Sequence, residues 1–256
     1  MEIAVCVKRI PMVGGKIVVT ADGQGVDTRM SGFTVSPHEE CAIEEAVQLT
    51  QRLGGSVSVL TLGPPEAADQ LRDALALGAS RAVLLETDGA EWGPIATAEA
   101  IAEQALRRAA GPEGPYDLLL FGNEAADTGG YQVAVRVAHA LGLPCVTGIK
   151  NIEITDDRAS ASREYRGTEE LFDLPLPAVI SVKEGINLPR YPSLPGRLRA
   201  KRAPIERYPV QRRDDGLRTT GLRVPAGEHR RADVLGNGPD AVPALVRLLD
   251  ELGVLS

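Results

Sequence analysis

Residues 56–86, SVSVLTLGPPEAADQLRDALALGASRAVLLE, decide the fold class of this chain. Ser56–Leu62 is an apolar run of strand length, and a glycine followed by two prolines ends it. The helical pattern that follows ends at Gly78, a residue type that easily takes the left-handed conformation found just after helices. Arg81–Glu86 is again an apolar strand pattern. This order of strand, helix and strand predicts a parallel sheet covered by helices.

The same alternation continues along the chain. Further strands are predicted at Ile3–Lys8, Asp117–Phe121, Cys145–Ile149 and Ala178–Val182, and further helices at Ser36–Leu53, Ile95–Ala110 and Tyr131–Leu141. Ile152–Phe172 alternates like an antiparallel hairpin with Asp156-Asp157 near its first turn, and Lys16–Thr20 before Ala21-Asp22-Gly23 indicates a shorter one. We therefore predict an α/β fold: an open, mainly parallel sheet with helices on both faces, an antiparallel hairpin and an extended C-terminal arm.

The composition limits the classes of function. At 256 residues, with 43% hydrophobic and 25% charged residues, the chain has the size of one large α/β domain or of one domain plus an arm. Aromatic residues make up 4%, which argues against the stacking platforms that bind single-stranded nucleic acid. The net charge of −7 argues against non-specific binding of polyanions, so no nucleic acid partner is expected.

The cysteines and the first residues exclude further classes. Cys6, Cys41 and Cys145 are isolated and no CxxC occurs, so a zinc site, an iron–sulfur cluster or a disulfide framework is not expected. The chain starts with a strand pattern rather than a signal peptide, and no apolar run has the length of a membrane span. The cytoplasm is therefore the expected compartment.

Four segments are predicted to end strands or begin helices at the carboxyl edge of the sheet, where open parallel sheets bind ligands. They are Cys6–Lys8, Ser36–Glu39, Leu62–Pro64 and Gly122–Val133. The last of these, called here the nucleotide loop, contains three glycines and precedes a helix whose amides would form an anion site. A nucleotide phosphate is the resulting hypothesis, and the alternative is an ordinary turn with a helix cap.

Several enzyme classes lack their motifs. There is no GxxxxGK[ST] phosphate loop, no GxGxxG after the first strand and no GxSxG elbow. The histidines, His38, His139 and His229, are far apart in the chain, so Ser-His-Asp chemistry cannot be assembled from them. His38 alone has a place at a predicted ligand-facing helix start.

The stretch Ile186–Pro195 has an unusual composition. Prolines at 189, 192 and 195 exclude a helix or a central strand through it, and its leucines and Tyr191 share no period that would bury them together. A basic run follows at once. This combination favours a loop that docks to another protein, and the alternative is an ordinary surface connection. Beyond Pro204 there is little core pattern until 241–252, which indicates either an arm ending in a short amphipathic helix or a disordered tail.

Several motifs together resemble one family. Val7–Pro11 looks like VKRVPD, Ala74–Ala82 is similar to ALAMGADRA, and Asn187–Pro195 resembles NEPRY-x-S/T-LP. The family with these motifs in this order is the β subunit of electron-transferring flavoproteins, and the resemblance covers essentially the whole chain, most tightly residues 1–205.

The resemblance implies an electron carrier, not an enzyme with its own substrate. It implies a heterodimer with an α subunit that holds most of an FAD, an adenine-nucleotide-hydrolase-like fold, and a buried structural AMP. Electrons would pass from acyl-CoA-type dehydrogenases of fatty acid β-oxidation to a quinone-linked oxidoreductase, without direct membrane insertion. Residues 1–205 would form the nucleotide-binding domain with a recognition loop at about 186–202, and residues 206–256 an arm with a short helix contacting the α subunit.

The resemblance also implies roles for particular residues, with no catalytic residue and no metal. The expected AMP-binding residues are Cys6, Ser36, Pro37, His38, Glu39, Leu62, Gly122, Asn123, Glu124, Ala125, Ala126, Asp127, Thr128, Gly129, Gly130, Tyr131, Gln132 and Val133. The expected docking residues are Arg190, Tyr191, Leu194, Pro195, Arg199 and Arg202, with Leu194 as the anchor. Glu164 matches a glutamate implicated in freeing the mobile flavin domain.

The chain departs from the family pattern in three places. Ser36 stands where an asparagine is usual, and Leu188 where an acidic residue is usual. Gln132-Val133 resembles the electron-bifurcating relatives, in which a second FAD occupies the AMP position. AMP is the expected ligand and a second FAD the alternative. A nucleotide-dependent enzyme of the same fold is a further alternative, although its Ser-Gly-Gly or triphosphate loop is absent.

Overall fold

The computed structural model describes residues 1–12, 17–213, 216, 219–225 and 234–255. Lys16, at the start of the shorter predicted hairpin, and His229 lie outside these residues. The rest of that hairpin is present, since Val19 forms an antiparallel bridge with Val26 around a turn that includes Gly23.

The described residues form these elements. The strands are β1 (Glu2–Val7), β2 (Ile10–Pro11), β3 (Phe33–Thr34), β4 (Ser56–Gly63), β5 (Arg81–Glu86), β6 (Leu118–Gly122), β7 (Cys145–Ile149), β8 (Asn151–Thr155), β9 (Arg158–Tyr165), β10 (Thr168–Pro175), β11 (Ala178–Val182) and β12 (Glu206–Pro209). The helices are α1 (Pro37–Leu53), α2 (Ala68–Leu77), α3 (Pro94–Ala109), α4 (Val133–Leu141), α5 (Leu194–Arg202) and α6 (Val242–Glu251).

The main sheet confirms the predicted open α/β fold. Its seven strands are all parallel, in the order β12-β5-β4-β1-β6-β11-β7. From β1 the chain continues to β4 and β5 on one side, whereas β6 is followed by β7 and β11 on the other. The strand order therefore reverses between β1 and β6, and a ligand crevice is expected beyond their carboxyl ends.

Helices cover both faces of the sheet because its strands are apolar on both sides. Ile3 and Val5 of β1 belong to one core cluster together with residues of α1, α2 and α5. Ala4 and Cys6, which point to the opposite face, belong to a second cluster with residues of α3 and α4. The crevice thus has α1 on one side and α4 on the other.

The structure corrects two predicted elements near this crevice. The predicted hairpin Ile152–Phe172 is a three-stranded antiparallel sheet, β8-β9-β10, because Arg166 and Gly167 form a second turn in which both residues have positive φ. Helix α4 begins at Val133, not at Tyr131, because Tyr131 has a φ of 53° and so cannot belong to a right-handed helix.

The end of the predicted proline-rich loop is also different. Leu194 and Pro195 form the first turn of α5, where a proline is tolerated because the first amides of a helix have no intrahelical partner. Strand β12 was not predicted, and it extends the sheet to Pro209 by pairing with β5. Helix α6 lies within one residue of the predicted terminal helix, and none of its residues is buried.

Candidate functional site

The nucleotide loop meets α1 and the end of β1 at the crevice. Ser36 Oγ donates a hydrogen bond to the carbonyl of Glu124 at 3.1 Å, and Lys8 Nζ lies 2.6 Å from Asp127 Oδ2. Gly122, which ends β6 and begins the nucleotide loop, also lies against α1, next to His38 and Glu39. The structure therefore brings together the predicted segment Ser36–Glu39, Lys8 of the predicted segment Cys6–Lys8, and residues 122–127 of the nucleotide loop.

The N-terminus of α1 is capped by side chains of its own first turn. Ser36 Oγ accepts from Glu39 N at 3.4 Å and Ser36 N donates to Glu39 Oε2 at 2.9 Å, which confirms the predicted capping box. Glu39 Oε1 accepts a further bond from Lys8 N at 2.8 Å, so this carboxyl group also holds the end of β1. Glu39 is buried, and burial raises its pKa to about 8.

The start of α4 is open. Its N-cap residue, Gln132, makes no capping hydrogen bond, because its side-chain oxygen accepts from Arg136 instead. The first backbone bond of this helix runs from Arg136 N to Gln132 O at 3.0 Å, so the preceding amides lie outside the helical ladder. Gly129 and Gly130 just before it are exposed, and a Cβ on either would meet nothing within 4 Å. An anion can therefore approach this helix start without meeting a side chain at either glycine.

Gly122→Ala is expected to lower the free energy of unfolding by about 1–3 kcal/mol, because the added methyl group overpacks the junction with α1. An ideal Cβ on Gly122 would lie 2.7 Å from Glu39 Cγ and 3.0 Å from Glu39 N. Denaturant unfolding measures the change. Gly130→Ala is the matched control from the same loop, and an equal effect of the two substitutions would contradict the close approach at Gly122.

The other predicted binding residues lie beside or beyond this junction. Cys6 is buried at the end of β1, and burial together with the nearby Glu39 carboxylate raises the pKa of its thiol. Leu62, near the end of β4, is partly buried against the same core cluster as Cys6. Residues 126–132 of the nucleotide loop are exposed. All three cysteines are free thiols.

The recognition loop, residues 186–202, is held on α1 by polar contacts. Asn187 Nδ2 donates to the carbonyl of Cys41 and to Glu45 Oε2, both at 3.0 Å. Arg190 forms a two-pronged ion pair with Glu44, with both N···O distances 2.8 Å. Burial alone would raise the pKa of Glu44, but the hydrogen bonds from Arg190 and Gln48 outweigh it and lower the pKa. Arg190, predicted to face a partner, therefore binds within the chain.

The apolar side chains of the recognition loop point away from this anchor. Leu188, Tyr191 and Leu194 are 90%, 95% and 71% exposed. Pro195 is also exposed, in the first turn of α5. No described part of the chain covers this apolar side, and an exposed apolar patch of this kind is typical of a surface that docks to another molecule.

Helix α5 forms the second half of the recognition loop and packs closely on α2. Gly196 allows this approach, since a Cβ there would lie 2.6 Å from the carbonyl oxygen of Ala76. Arg72 Nη1 of α2 donates to the carbonyl of Ala200 at 2.9 Å. The predicted docking residues Arg199 and Arg202 are exposed on α5 and line a surface groove of about 520 Å³.

Glu164 lies apart from both sites. It is exposed in β9, directly opposite Glu169 of β10. None of the contacts described for the crevice or for the recognition loop includes it.

Sequence reasoning assigned no role to the residues that hold the two loops in place. Lys8 and Asn187 lay within predicted segments without an assigned contact, and Glu44 and Glu45 lay outside those segments. Glu44 and Glu45 carried a signal, because two adjacent carboxylates in a helix whose neighbours are apolar need partners once they are buried. Their partners, Arg190 for Glu44 and Asn187 for Glu45, lie 146 and 142 residues away, so the pairing itself has no local signal.

The described residues contain neither a candidate metal cluster nor a helix suited to crossing a membrane. No group of three or more His, Cys, Asp and Glu side chains within them could hold a metal ion. None of the described helices combines the length and apolar character that crossing a membrane requires.

The chain is similar to known proteins over most of its length. Residues 25–212 match the family model of the electron transfer flavoprotein domain. The chain is 39% identical over 176 residues to the electron transfer flavoprotein subunit beta of Bacillus subtilis, which covers 68% of this chain and 66% of that relative. For the protein of the same name from Syntrophomonas wolfei the identity is 37% over 206 residues, covering 80% and 78%. For that of Bradyrhizobium diazoefficiens it is 32% over 264 residues, covering 100% of both.

Proposed function

Because this chain belongs to the electron transfer flavoprotein β-subunit family, we propose that it pairs with an α subunit and supports an FAD held mostly by that partner. The complex takes electrons from acyl-CoA-type dehydrogenases, as in fatty acid β-oxidation, and passes them to a quinone-linked oxidoreductase. The chain itself is an electron carrier subunit rather than an enzyme. The proposed compartment is the cytoplasm.

The docking role is supported by one observation: one side of the recognition loop is bonded to α1, and its other side is apolar and exposed. Asn187 and Arg190 fix it to α1, while Leu188, Tyr191 and Leu194 project from it. Prolines at 189, 192 and 195 limit its conformations, so little further entropy is lost when a dehydrogenase binds. Arg199 and Arg202 on α5, in the second half of the loop, provide positive charge beside the apolar tip. We propose a dehydrogenase surface with an apolar pocket bordered by carboxylates as its partner.

The crevice between β1 and β6 is the proposed nucleotide site. The start of α1 is satisfied by Ser36 and Glu39, whereas the start of α4 has open amides, which supports a phosphate at α4. Cys6 and Leu62 would line the inner end of the site. We propose AMP as the ligand, in a structural role. Gln132-Val133 at the open end of α4 supports the alternative, a second FAD at this position in an electron-bifurcating complex.

The remaining parts of the chain are proposed to serve the α subunit. Glu164 on the small antiparallel sheet would help to release the mobile flavin domain. The arm was predicted from residue 206, but residues 206–209 form β12 of the main sheet, so the proposed arm on the α subunit begins after Pro209 and ends in α6, none of whose residues is buried. The arm would leave the sheet along α3, where Arg213 Nη2 lies 2.6 Å from Glu103 Oε1.

Acid release of the bound nucleotide from the purified complex tests this proposal. Mass analysis is expected to find one AMP and one FAD per heterodimer. Two FAD and no AMP would favour bifurcation. A complex that contains no flavin, or a triphosphate that is hydrolysed on incubation, would overturn the carrier function in favour of a nucleotide-dependent enzyme.

A further inference from the structure

His38 lies where three segments of the chain meet. It belongs to the first turn of α1, its Nδ1 accepts a hydrogen bond from the backbone amide of Glu184 at 2.8 Å, and its Nε2 lies 3.6 Å from Glu124 Oε1. Glu124 belongs to the nucleotide loop, and Glu184 lies two residues before the recognition loop. The imidazole ring therefore stands between the two candidate sites.

The hydrogen bond to Glu184 determines the orientation of the ring. A nitrogen that accepts a hydrogen bond carries no proton, so the proton of the neutral imidazole is on Nε2, which faces Glu124. At 3.6 Å the Glu124 carboxylate attracts this N–H without a direct hydrogen bond. The position of Glu124 thus favours the ring orientation that leaves Nδ1 free to accept from Glu184.

Both partners of His38 are tied to further parts of their loops. The carbonyl of Glu124 accepts from Ser36 Oγ, so a ligand that fixes the nucleotide loop against α1 also fixes Glu124. The carbonyl of Glu184 accepts from Lys150 Nζ, and Asn187 three residues later is bound to α1. Helix α1 supports both loops, and His38 on it contacts the nucleotide loop at Glu124 and the base of the recognition loop at Glu184.

We propose that His38 is a positioning residue that couples occupancy of the nucleotide site to the order of the recognition loop. This rests on the proposed function of the two sites. A bound nucleotide that fixes the position of Glu124 also fixes the His38 ring. The ring then makes a stronger hydrogen bond to the Glu184 amide, so the base of the recognition loop opens less often. By linkage, docking at the recognition loop strengthens nucleotide binding by the same factor.

Hydrogen exchange of the αβ complex, first stripped of its bound nucleotide and then with AMP added back, tests the coupling. In the unmodified complex AMP is expected to slow amide exchange in residues 183–190 by about fivefold or more, the lower end of usual allosteric couplings. His38→Ala is expected to abolish this effect at an AMP concentration that calorimetry shows to saturate the variant. His38→Asn keeps an acceptor at the position of Nδ1 and loses the group facing Glu124, so it should restore the protection of Glu184 but not the response to AMP.

The outcomes separate this inference from the proposed nucleotide. An equal response to AMP in the alanine variant, or no response in a complex shown by calorimetry to bind AMP, would overturn the coupling. If AMP does not bind at all, the proposed ligand is wrong. The role of His38 is then tested by amide hydrogen exchange measured without nucleotide. His38→Ala must then speed exchange in both 183–190 and 123–128, and His38→Asn only in 123–128. Any other pattern overturns the inference.

Discussion

Replacing Leu194 by alanine is expected to weaken docking to the dehydrogenase about 10- to 150-fold, while assembly with the α subunit and FAD content stay unchanged. Leu194 is 71% exposed, so it contributes little to the fold of its own chain. Burying a leucine in a partner's pocket is worth about 1.5–3 kcal/mol, and each 1.4 kcal/mol is about a factor of ten in affinity. The dependence of dehydrogenase-to-flavin electron transfer on the concentration of the complex measures the effect.

Leu106→Ala is the matched control for this prediction. Leu106 is an exposed leucine on α3, outside the recognition loop, so its removal deletes the same atoms without touching the proposed docking surface. Its electron transfer should match that of the unmodified complex. If Leu194→Ala instead loses FAD or the α subunit, the recognition loop is part of the assembly of the complex rather than a docking element.

The pH dependence of stability is expected to change when Glu39 is replaced by glutamine. The folded-state pKa of Glu39, about 8, is above its ordinary value of 4.5, so the folded protein keeps a proton that the unfolded chain releases. Its contribution to stability is therefore complete below pH 4.5 and is lost as the pH rises through 8. The upper limit of this loss is about 5 kcal/mol, from 1.36 kcal/mol for each unit of pKa difference.

Denaturant unfolding of the unmodified chain and of Glu39→Gln at pH values from 5 to 9 measures this pH-dependent contribution of Glu39 to stability. The stability of the unmodified chain relative to Glu39→Gln is expected to fall steadily as the pH rises, because glutamine does not titrate. Glu66→Gln, at an exposed glutamate in the turn before α2, provides the control and should show no such trend. A difference between the Glu39 proteins that stays constant with pH would show that Glu39 is already ionised in the folded state.

The sequence was sufficient for the parts of the fold that depend on local burial. β4, α2 and β5 lie almost where the pattern of residues 56–86 placed them, because strands covered on both faces need continuous apolar runs and a covering helix needs an apolar stripe. The capping box of α1 was also predictable, since its two members lie three residues apart. The family motifs were likewise readable without coordinates.

The sequence was not sufficient for elements that depend on distant partners. Helix α5 buries only Gly196 and Ala200, so it has no apolar period that would reveal it, and its position depends on the close approach of Gly196 to Ala76 of α2. Strand β12 exists because the edge of β5 offers it hydrogen bonds. Such elements form where another part of the chain supplies the contacts that their own residues lack.

The chain by itself determined the βαβ order, the capped start of α1, the proline-stiffened recognition loop and the family. The tertiary structure alone decided which side of that loop is free, because Asn187 and Arg190 find their carboxylate partners on a helix more than a hundred residues earlier. It also decided that α4 has open amides at the crevice while α1 does not. The physical reason is the same in each case: ion pairs and hydrogen bonds between distant segments leave no periodic trace in the sequence, whereas burial of neighbouring apolar residues does.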